Sequence, residues 1–580
     1  MGLVACGSRA SFLESPINFH AKIVFYLSGN NISNLPKLRY TNFKINLILV
    51  VTEAHEKRKD TIVMKERIGL IDIGSNSIRL VVFQVEDNLA MREIQNIKIP
   101  ARIFQYINDN HEMSQDGIDT LARIIGAFAK EAAILKADRI LPKATAAIRQ
   151  SKNKDDIVNQ VKKKTGVTIE LVPEEMEAYY GFSAVVHSMS DSDGVSIDIG
   201  GGSTEITVFK DKELVEAFSF PFGAVSLQEK FFNGKDFNDA KSIKETRKFV
   251  RQAFSEQPFF ENLNLPIFAI GGSARNVARV HQMQSNYGMA GLHEYTMKPK
   301  QIDQVFDTFV DLSMKEMLKL EGLSSNRADI IVPATIVFQE LIQTVDSPVF
   351  KFSQEGLREG IVYEYLEEKY RSAFDIHRVA QQTVERLSSI YQFSMPDSAQ
   401  RMVIARQLYT ALSEDGYLKL NDHELELLNY GAYLYNLGEM IEPGNASQHT
   451  FYLLSNSNLN GFSHPERLAL SILASYKNKT LFDQYLTTYG EMLDDKQVEN
   501  LQHIGGLIKF AECLNDSHNN IVKSMDTVMK GNNLILRIFY QGELLSEVYR
   551  SEDQKKHVER AIGKDITLEF IHANSYRAIL

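Results

Sequence analysis

An apolar run that breaks into a short polar turn and then resumes is the clearest pattern along the chain, and it occurs twice. Residues 68–83 read IGLIDIGSNSIRLVVF and residues 195–209 read VSIDIGGGSTEITVF. Each copy predicts a strand, a glycine-containing turn and a second strand, which together make a β-hairpin. Between them, PEEMEAYYGF (173–182) predicts a helix with acids in its first turn, where they favour the positive end of the helix dipole. A mostly helical stretch is expected from residue 371 to about 525. After it, residues 532–571 read as strand, helix, strand, because LILRIFY alternates as a half-buried strand does.

A repeated hairpin implies a repeated domain with a cleft between the halves. The expected boundaries are 64–187 for the first lobe, 188–370 for the second, 371–525 for a helical domain and 526–580 for a small α+β cap. Residues 1–63 read differently. Their apolar run INLILVV (45–51) is far shorter than the roughly 20 residues a membrane span needs. The box LVAC at 3–6 has no basic, apolar leader before it, so no signal peptide is expected. Met64 opens directly onto the first strand, so residues 1–63 are expected to be a dispensable extension, with translation starting at Met64.

Composition narrows the partners. A chain of 580 residues is too long for one core. Its net charge of −10 argues against binding DNA through the whole surface, so a polyanion would have to be met locally. Two cysteines, Cys6 and Cys513, build no disulfide framework and suit a reducing, cytoplasmic setting.

The turns carry the candidate chemistry. Glycine lets backbone N–H groups approach an anion with no Cβ in the way. Gly74, Ser75, Asn76 and Ser77 in the first turn, and Gly200, Gly201, Gly202, Ser203 and Thr204 in the second, are therefore candidate phosphate binders. Asp72 and Asp198 stand at the same offset in the two copies and would repel bare phosphate. They suit Mg²⁺, which takes one or two carboxylates and bridges to phosphate while keeping waters. Two glycine turns gripping one string of phosphates between two lobes resemble the arrangement of actin, sugar kinases and acetate kinase. That likeness leaves open a kinase, an ATPase or a phosphatase.

Further segments narrow the choice: KATAAIRQSKN (143–153), TGVTIELVPEEMEAYYGFSAV (165–185), FPFGAVSLQEKF (220–231), AIGGSARNVARV (269–280), NRADIIVPATIVFQELI (326–342) and FSQEGLREGIVYEYL (352–366). In this order and spacing they resemble the exopolyphosphatase / guanosine pentaphosphate phosphatase (Ppx/GppA) family, and the resemblance covers the chain from Met64 onward. It implies an α/β fold of duplicated actin-like, ribonuclease H-like lobes, followed by an all-α domain similar to the HD metal phosphohydrolases and a small α+β domain. It also implies Mg²⁺-dependent hydrolysis of the terminal phosphoanhydride of inorganic polyphosphate or of pppGpp, and a homodimer. Carried over residue by residue, Glu177 in EEMEA is the catalytic glutamate, although Met176 and Pro173-Glu174 depart from the family's usual residues there. Arg149 in AIRQ matches an arginine near the bound phosphates. Glu205 is the other candidate catalytic acid, able to orient the attacking water or steady the metal.

The helical domain departs from the HD pattern. Tyr435-Asn436 and Lys477 stand where metal-ligating residues would be, and His449 remains alone, so no second active site is expected. The leading expectation is an exopolyphosphatase. The alternatives are a pppGpp 5′-phosphohydrolase, an ATP-using phosphotransferase of the same superfold, and a non-catalytic polyphosphate or nucleotide sensor.

Overall fold

The computed structural model describes residues 65–573 apart from 87–88, 109, 371–373 and 392–393. The expectation about residues 1–63 lies outside the described residues. Strands β1 (Glu66–Ile73), β2 (Ile78–Val85), β3 (Met91–Ile99), β4 (Arg139–Ala144) and β5 (Glu170–Leu171) make one sheet in the order β3-β2-β1-β4-β5. Strands β6 (Gly194–Ile199), β7 (Thr204–Lys210), β8 (Glu213–Phe220), β9 (Ile267–Ile270), β10 (Tyr295–Met297) and β11 (Phe350–Phe352) make a second in the order β8-β7-β6-β9-β11-β10. Both begin with an antiparallel meander whose first strand then pairs in parallel with the next strand, β1 with β4 and β6 with β9. The duplication legible in the hairpins is thus a duplication of whole sheets.

Helices α1 (Gln115–Ile134), α2 (Ala146–Arg149), α3 (Lys154–Thr165) and α4 (Glu174–Ser188) belong to the first half of the chain. The second lobe adds α5 (Ala224–Phe232), α6 (Ala240–Ser255), α7 (Gly271–Gln284), α8 (Pro299–Asp311), α9 (Met314–Met317), α10 (Ile331–Val345) and α11 (Leu357–Lys369). Strand alternation divides the first sheet between two cores. Ile71, Ile73, Leu80 and Val82 pack with α1 and α3, whereas Ile68, Leu70, Val81 and Phe83 pack with Tyr180 of α4 and Ile361, Val362 and Leu366 of α11. On its other side α4 buries Phe182, Val185 and Val186 against Phe209, Phe268 and Ile270 of the second sheet, each such side chain contributing about 1.5–3 kcal/mol. Helix α4 is therefore wedged between the two sheets, which is why its sequence is apolar nearly all round after its acidic first turn. Helix α11, though it is the last helix of the second lobe in sequence, packs back against β1 and α4.

Helices α12 (Val379–Tyr391), α13 (Met395–Glu414), α14 (Asp422–Tyr433), α15 (Ala446–Asn456), α16 (His464–Ala474), α17 (Lys479–Tyr489) and α18 (Asp495–Cys513) form the helical region. Strands β12 (Val522–Lys530), β13 (Asn533–Tyr540) and β14 (Ile566–His572) then make a small sheet, with α19 (Ser546–Gln554) and α20 (Lys556–Ile562) between β13 and β14. The expected strand–helix–strand unit is present, and β12 joins it from Val522, inside the stretch read as helical. No helix among the described residues is long and apolar enough to cross a membrane.

Candidate active site

The same alternation that builds the cores brings the site together. Asp72 lies on the face of β1 shared with Ile68 and Leu70, and it pairs across the hairpin with Arg79. In the second hairpin Asp198 pairs with Glu205. These residues stand at the ends of strands whose faces are covered by α4, and the first turn of α4 carries Glu177. The copies thus differ at one chemically decisive position, which holds a cation in the first lobe and an acid in the second.

The two turns have the same internal geometry. Gly74 N–H donates to Ser77 O at 3.1 Å, and Gly200 N–H donates to Ser203 O at 2.9 Å. Carbonyls of both turns are tied back by the segments that follow. Arg102 and Phe104 donate to Asn76 O and Ser75 O, while Ala224 and Val225 donate to Gly200 O and Gly201 O. Among the described residues the N–H groups of 75–77 and 201–203 donate to no backbone carbonyl outside regular structure. Acceptors satisfied and donors left over is the arrangement an anion needs. Thr204 is different. It is fully buried and its hydroxyl donates to Phe222 O at 2.7 Å, so that side chain is committed to the fold.

Burial raises the pKa of four acids here, Asp72, Asp198, Glu177 and Glu205. Asp72 is raised by loss of solvent, against the pull of Arg358 and Arg79. Asp198 is raised to about 6, mainly by burial and further by Asp72, against Arg327 and Arg358. Glu205 goes up to about 8 through burial and the charge of Asp198, and it accepts a hydrogen bond from Ser219 Oγ at 3.0 Å. Glu177 is raised by burial; its ion pair with Arg149 pulls it down, and Asp198 pushes it up. A set of crowded, dehydrated carboxylates favours a bound cation. Asp72 and Asp198 fit Mg²⁺, which uses one or two carboxylates and completes its shell with water and phosphate oxygens. Among the described residues no group of three or more His, Cys, Asp or Glu converges as a ready-made metal cage.

Arg149 does not point free into the cleft. It pairs with Glu177, donates to Val172 O at 2.7 Å and meets Glu174 at 3.1 Å, which holds the Glu177 carboxylate in place. The cations that do face the site were missed from sequence: Lys98, Arg275, Arg327 and Arg358. Arg358 acts on Asp72 and Asp198 and Arg327 on Asp198, while Lys98 and Arg275 are coupled to these two arginines. Arg79, Arg275, Arg279 and Arg358 line an adjoining cavity of about 760 Å³. The GGS segment at 271–273, a strand-to-helix turn, carries a signal for these charges. Gly271 has φ +84°, and a Cβ there would lie 2.5 Å from Asp198 Oδ1; a Cβ on Gly272 would lie 2.2 Å from the Arg327 guanidinium. Both glycines make room for charged groups of the site.

The far wall of that cavity is the 286–292 segment, and the helical region holds it. Tyr287 OH donates to His464 Nδ1 at 2.9 Å, while His464 Nε2 donates to His293 O at 3.0 Å, a pattern that needs the neutral imidazole. Burial pushes the His464 pKa down to about 3, which keeps it neutral. Arg467, almost fully buried, donates to Ala290 O at 2.6 Å.

Two family models match the chain consecutively. The Ppx/GppA phosphatase family covers residues 81–369, and Ppx/GppA phosphatase domain III covers residues 379–548. Among curated proteins, the bifunctional 3-dehydroquinate synthase/phosphatase of Fusobacterium nucleatum is 27% identical over 384 residues, which is 62% of this chain and 58% of that protein. The chain therefore spans less than two thirds of that relative's length. Among solved structures, the Ppx/GppA family member of Aquifex aeolicus is 25% identical, covering 53% of this chain and 100% of its own with a TM-score of 0.49. An exopolyphosphatase from Cytophaga hutchinsonii is 20% identical, covering 52% of this chain and 98% of its own, with a TM-score of 0.46. With residues 81–369 and 379–548 matched in succession by these two models, the chain belongs to the Ppx/GppA phosphatase family.

Proposed function

We propose that the protein is an exopolyphosphatase, removing the terminal phosphate of inorganic polyphosphate by hydrolysis. The observation that carries this reading is the convergence of two turns with unspent N–H groups, two crowded aspartates and a carboxylate on α4 beside an arginine-lined cavity. In this reading the N–H groups of residues 75–77 and 201–203 hold the terminal phosphoryl group. Arg79, Arg275 and Arg358 neutralise the phosphates behind it, since phosphoryl transfer depends mainly on positioning and charge compensation. Asp72 and Asp198 would hold Mg²⁺, which would supply further charge neutralisation at the phosphate oxygens. The Glu177 carboxylate takes a proton from a water in line with the terminal phosphorus. That water's oxygen bonds to phosphorus as the phosphoanhydride P–O bond breaks, releasing orthophosphate and a chain one unit shorter. Arg149 keeps Glu177 aimed, and Glu205 orients the water or steadies the metal.

One observation favours pppGpp as a second substrate: Met283, Tyr287 and Leu292 add an apolar and aromatic wall that a bare phosphate chain does not require. The same reading includes a homodimer, a cytoplasmic location and the domain limits expected from sequence. The test is phosphate release by the full chain with Mg²⁺, offered long-chain polyphosphate, pppGpp and ATP side by side. Release mainly from polyphosphate supports the proposal, and release only from pppGpp replaces it with the second reading. A folded protein silent on all three would make it a binding protein.

A further inference from the structure

The helical region contains a cavity that the cleft chemistry does not use. Tyr435, Asn436 and Lys477, the positions where metal ligands are missing from the sequence, come together with Lys509, Cys513 and Arg550 around a space of about 180 Å³. Its chemistry is the reverse of a metal cage. Tyr435 OH is spent on Tyr476 O at 2.8 Å, and Asn436 brings an amide instead of a carboxylate. Burial pushes the Cys513 thiol up to about 11, so it carries no charge near neutrality.

Two carboxylates border the cavity, and both are already matched. Glu512 is paired with Arg401, and Asp516 meets Arg550 at 3.1 Å. Among the described residues neither Lys477 nor Lys509 has a carboxylate within ion-pair distance, which leaves a surplus of positive charge. Lys509 spends one N–H on the Lys477 carbonyl at 2.7 Å and keeps two. Two nearby groups respond to the surplus. The Lys509 pKa is lowered by burial and then by Arg550, Lys477 and Lys556. Behind it, His557 is pushed down to about 4 by burial and by Lys509, Arg560 and Lys556. Ala446 and Ser447, in the first turn of α15, close another side of the cavity, so the positive end of that helix adds to the same field.

Cations that repel one another around a small space, two of them without a carboxylate partner, are stabilised by an anion, and several N–H donors there suit phosphate oxygens. We propose that this cavity is a second anion site, separate from the cleft, that binds the phosphate or diphosphate group of a small phosphorylated molecule. Its walls come from α15, α18 and, through Arg550, α19, so occupancy ties the terminal α+β unit to the helical region. The inference does not depend on the cleft's being catalytic.

The experiment uses the full chain without Mg²⁺, with inorganic pyrophosphate and orthophosphate as probes and hydrogen–deuterium exchange as readout. Pyrophosphate should protect segments 443–450 and 505–516 saturably, and Lys509→Met should weaken the apparent affinity there at least tenfold. Lys477→Met, at an exposed position, should weaken it in the same direction and decides the matter if Lys509→Met fails to fold. Phosphate release at the cleft should be unchanged in both variants. Protection confined to the turns at 72–77 and 198–205, or equal protection of 443–450 and 505–516 in wild type and the folded variants, would overturn the proposal.

Discussion

Arg149→Met is the most informative single change, because its cost should depend strongly on pH. Arg149 and Glu177 form an ion pair in which the side chains are only 14% and 11% exposed. Removing one partner of such a pair leaves the other charge buried without compensation, which costs about 3–5 kcal/mol. The half-exposed Glu174, also in contact with Arg149, adds little by comparison. Glu177 already has a raised pKa from burial, and Arg149 is what restrains it, so the substitution raises it further. A carboxylate whose pKa is raised on folding is least harmful below its unfolded value, near 4.5, and costs more as pH climbs through the folded value. Arg149→Met should therefore be nearly as stable as wild type at pH 4 and show most of the 3–5 kcal/mol deficit at pH 8. Adding Glu177→Gln, which carries no charge, should recover most of the loss at pH 8. Urea denaturation at the two pH values, for wild type, Arg149→Met, Glu177→Gln and the double variant, measures the coupling directly. Under the proposed mechanism the acidic limb of kcat/KM against pH should also move to higher pH. An equal deficit at both pH values, with no rescue by Glu177→Gln, would mean that Arg149 acts by packing alone and would refute this reasoning.

Three other outcomes are expected. Glu177→Gln should keep the fold and lose roughly 10²–10⁴-fold in phosphate release, the usual contribution of a positioned base, and near-normal turnover would remove Glu177 from that role. Asp198→Asn should raise the Mg²⁺ concentration needed for half-maximal activity, and an unchanged requirement would put the ion elsewhere. Glu294 is almost fully buried with Oε2 unpartnered, and burial pushes its pKa from 4.5 to about 7. Glu294→Gln should therefore stabilise the protein by up to about 3 kcal/mol above pH 7, with the gain vanishing below pH 4.5, as thermal melts across that range would reveal.

What could be read from sequence was local. The two hairpins were legible because alternation and a glycine turn are short-range signals, and finding them twice implied paired lobes. Asp72 and Asp198 followed from their common offset. Glu177 was reached only through the family resemblance, since an acid in a helix's first turn is equally well explained by the helix dipole. Arg149 was identified but its partner was not, because 28 residues and a strand separate it from Glu177. Thr204 looked like another phosphate donor beside Ser203, yet strand alternation turns its hydroxyl into the core.

By itself, then, the chain's pattern determined two repeated hairpins, a helical region and a terminal α+β unit, all set by periods of a few residues. Tertiary structure alone decided that α4 is wedged between the sheets with Glu177 at its mouth and that Arg79, Arg275, Arg327 and Arg358 share one field. It also decided that Lys477, Lys509 and Arg550 surround one cavity. The physical reason is that a charge's environment depends on distance and burial in three dimensions. Segments hundreds of residues apart, each polar and unremarked along the chain, become one site only when folding removes the water between them.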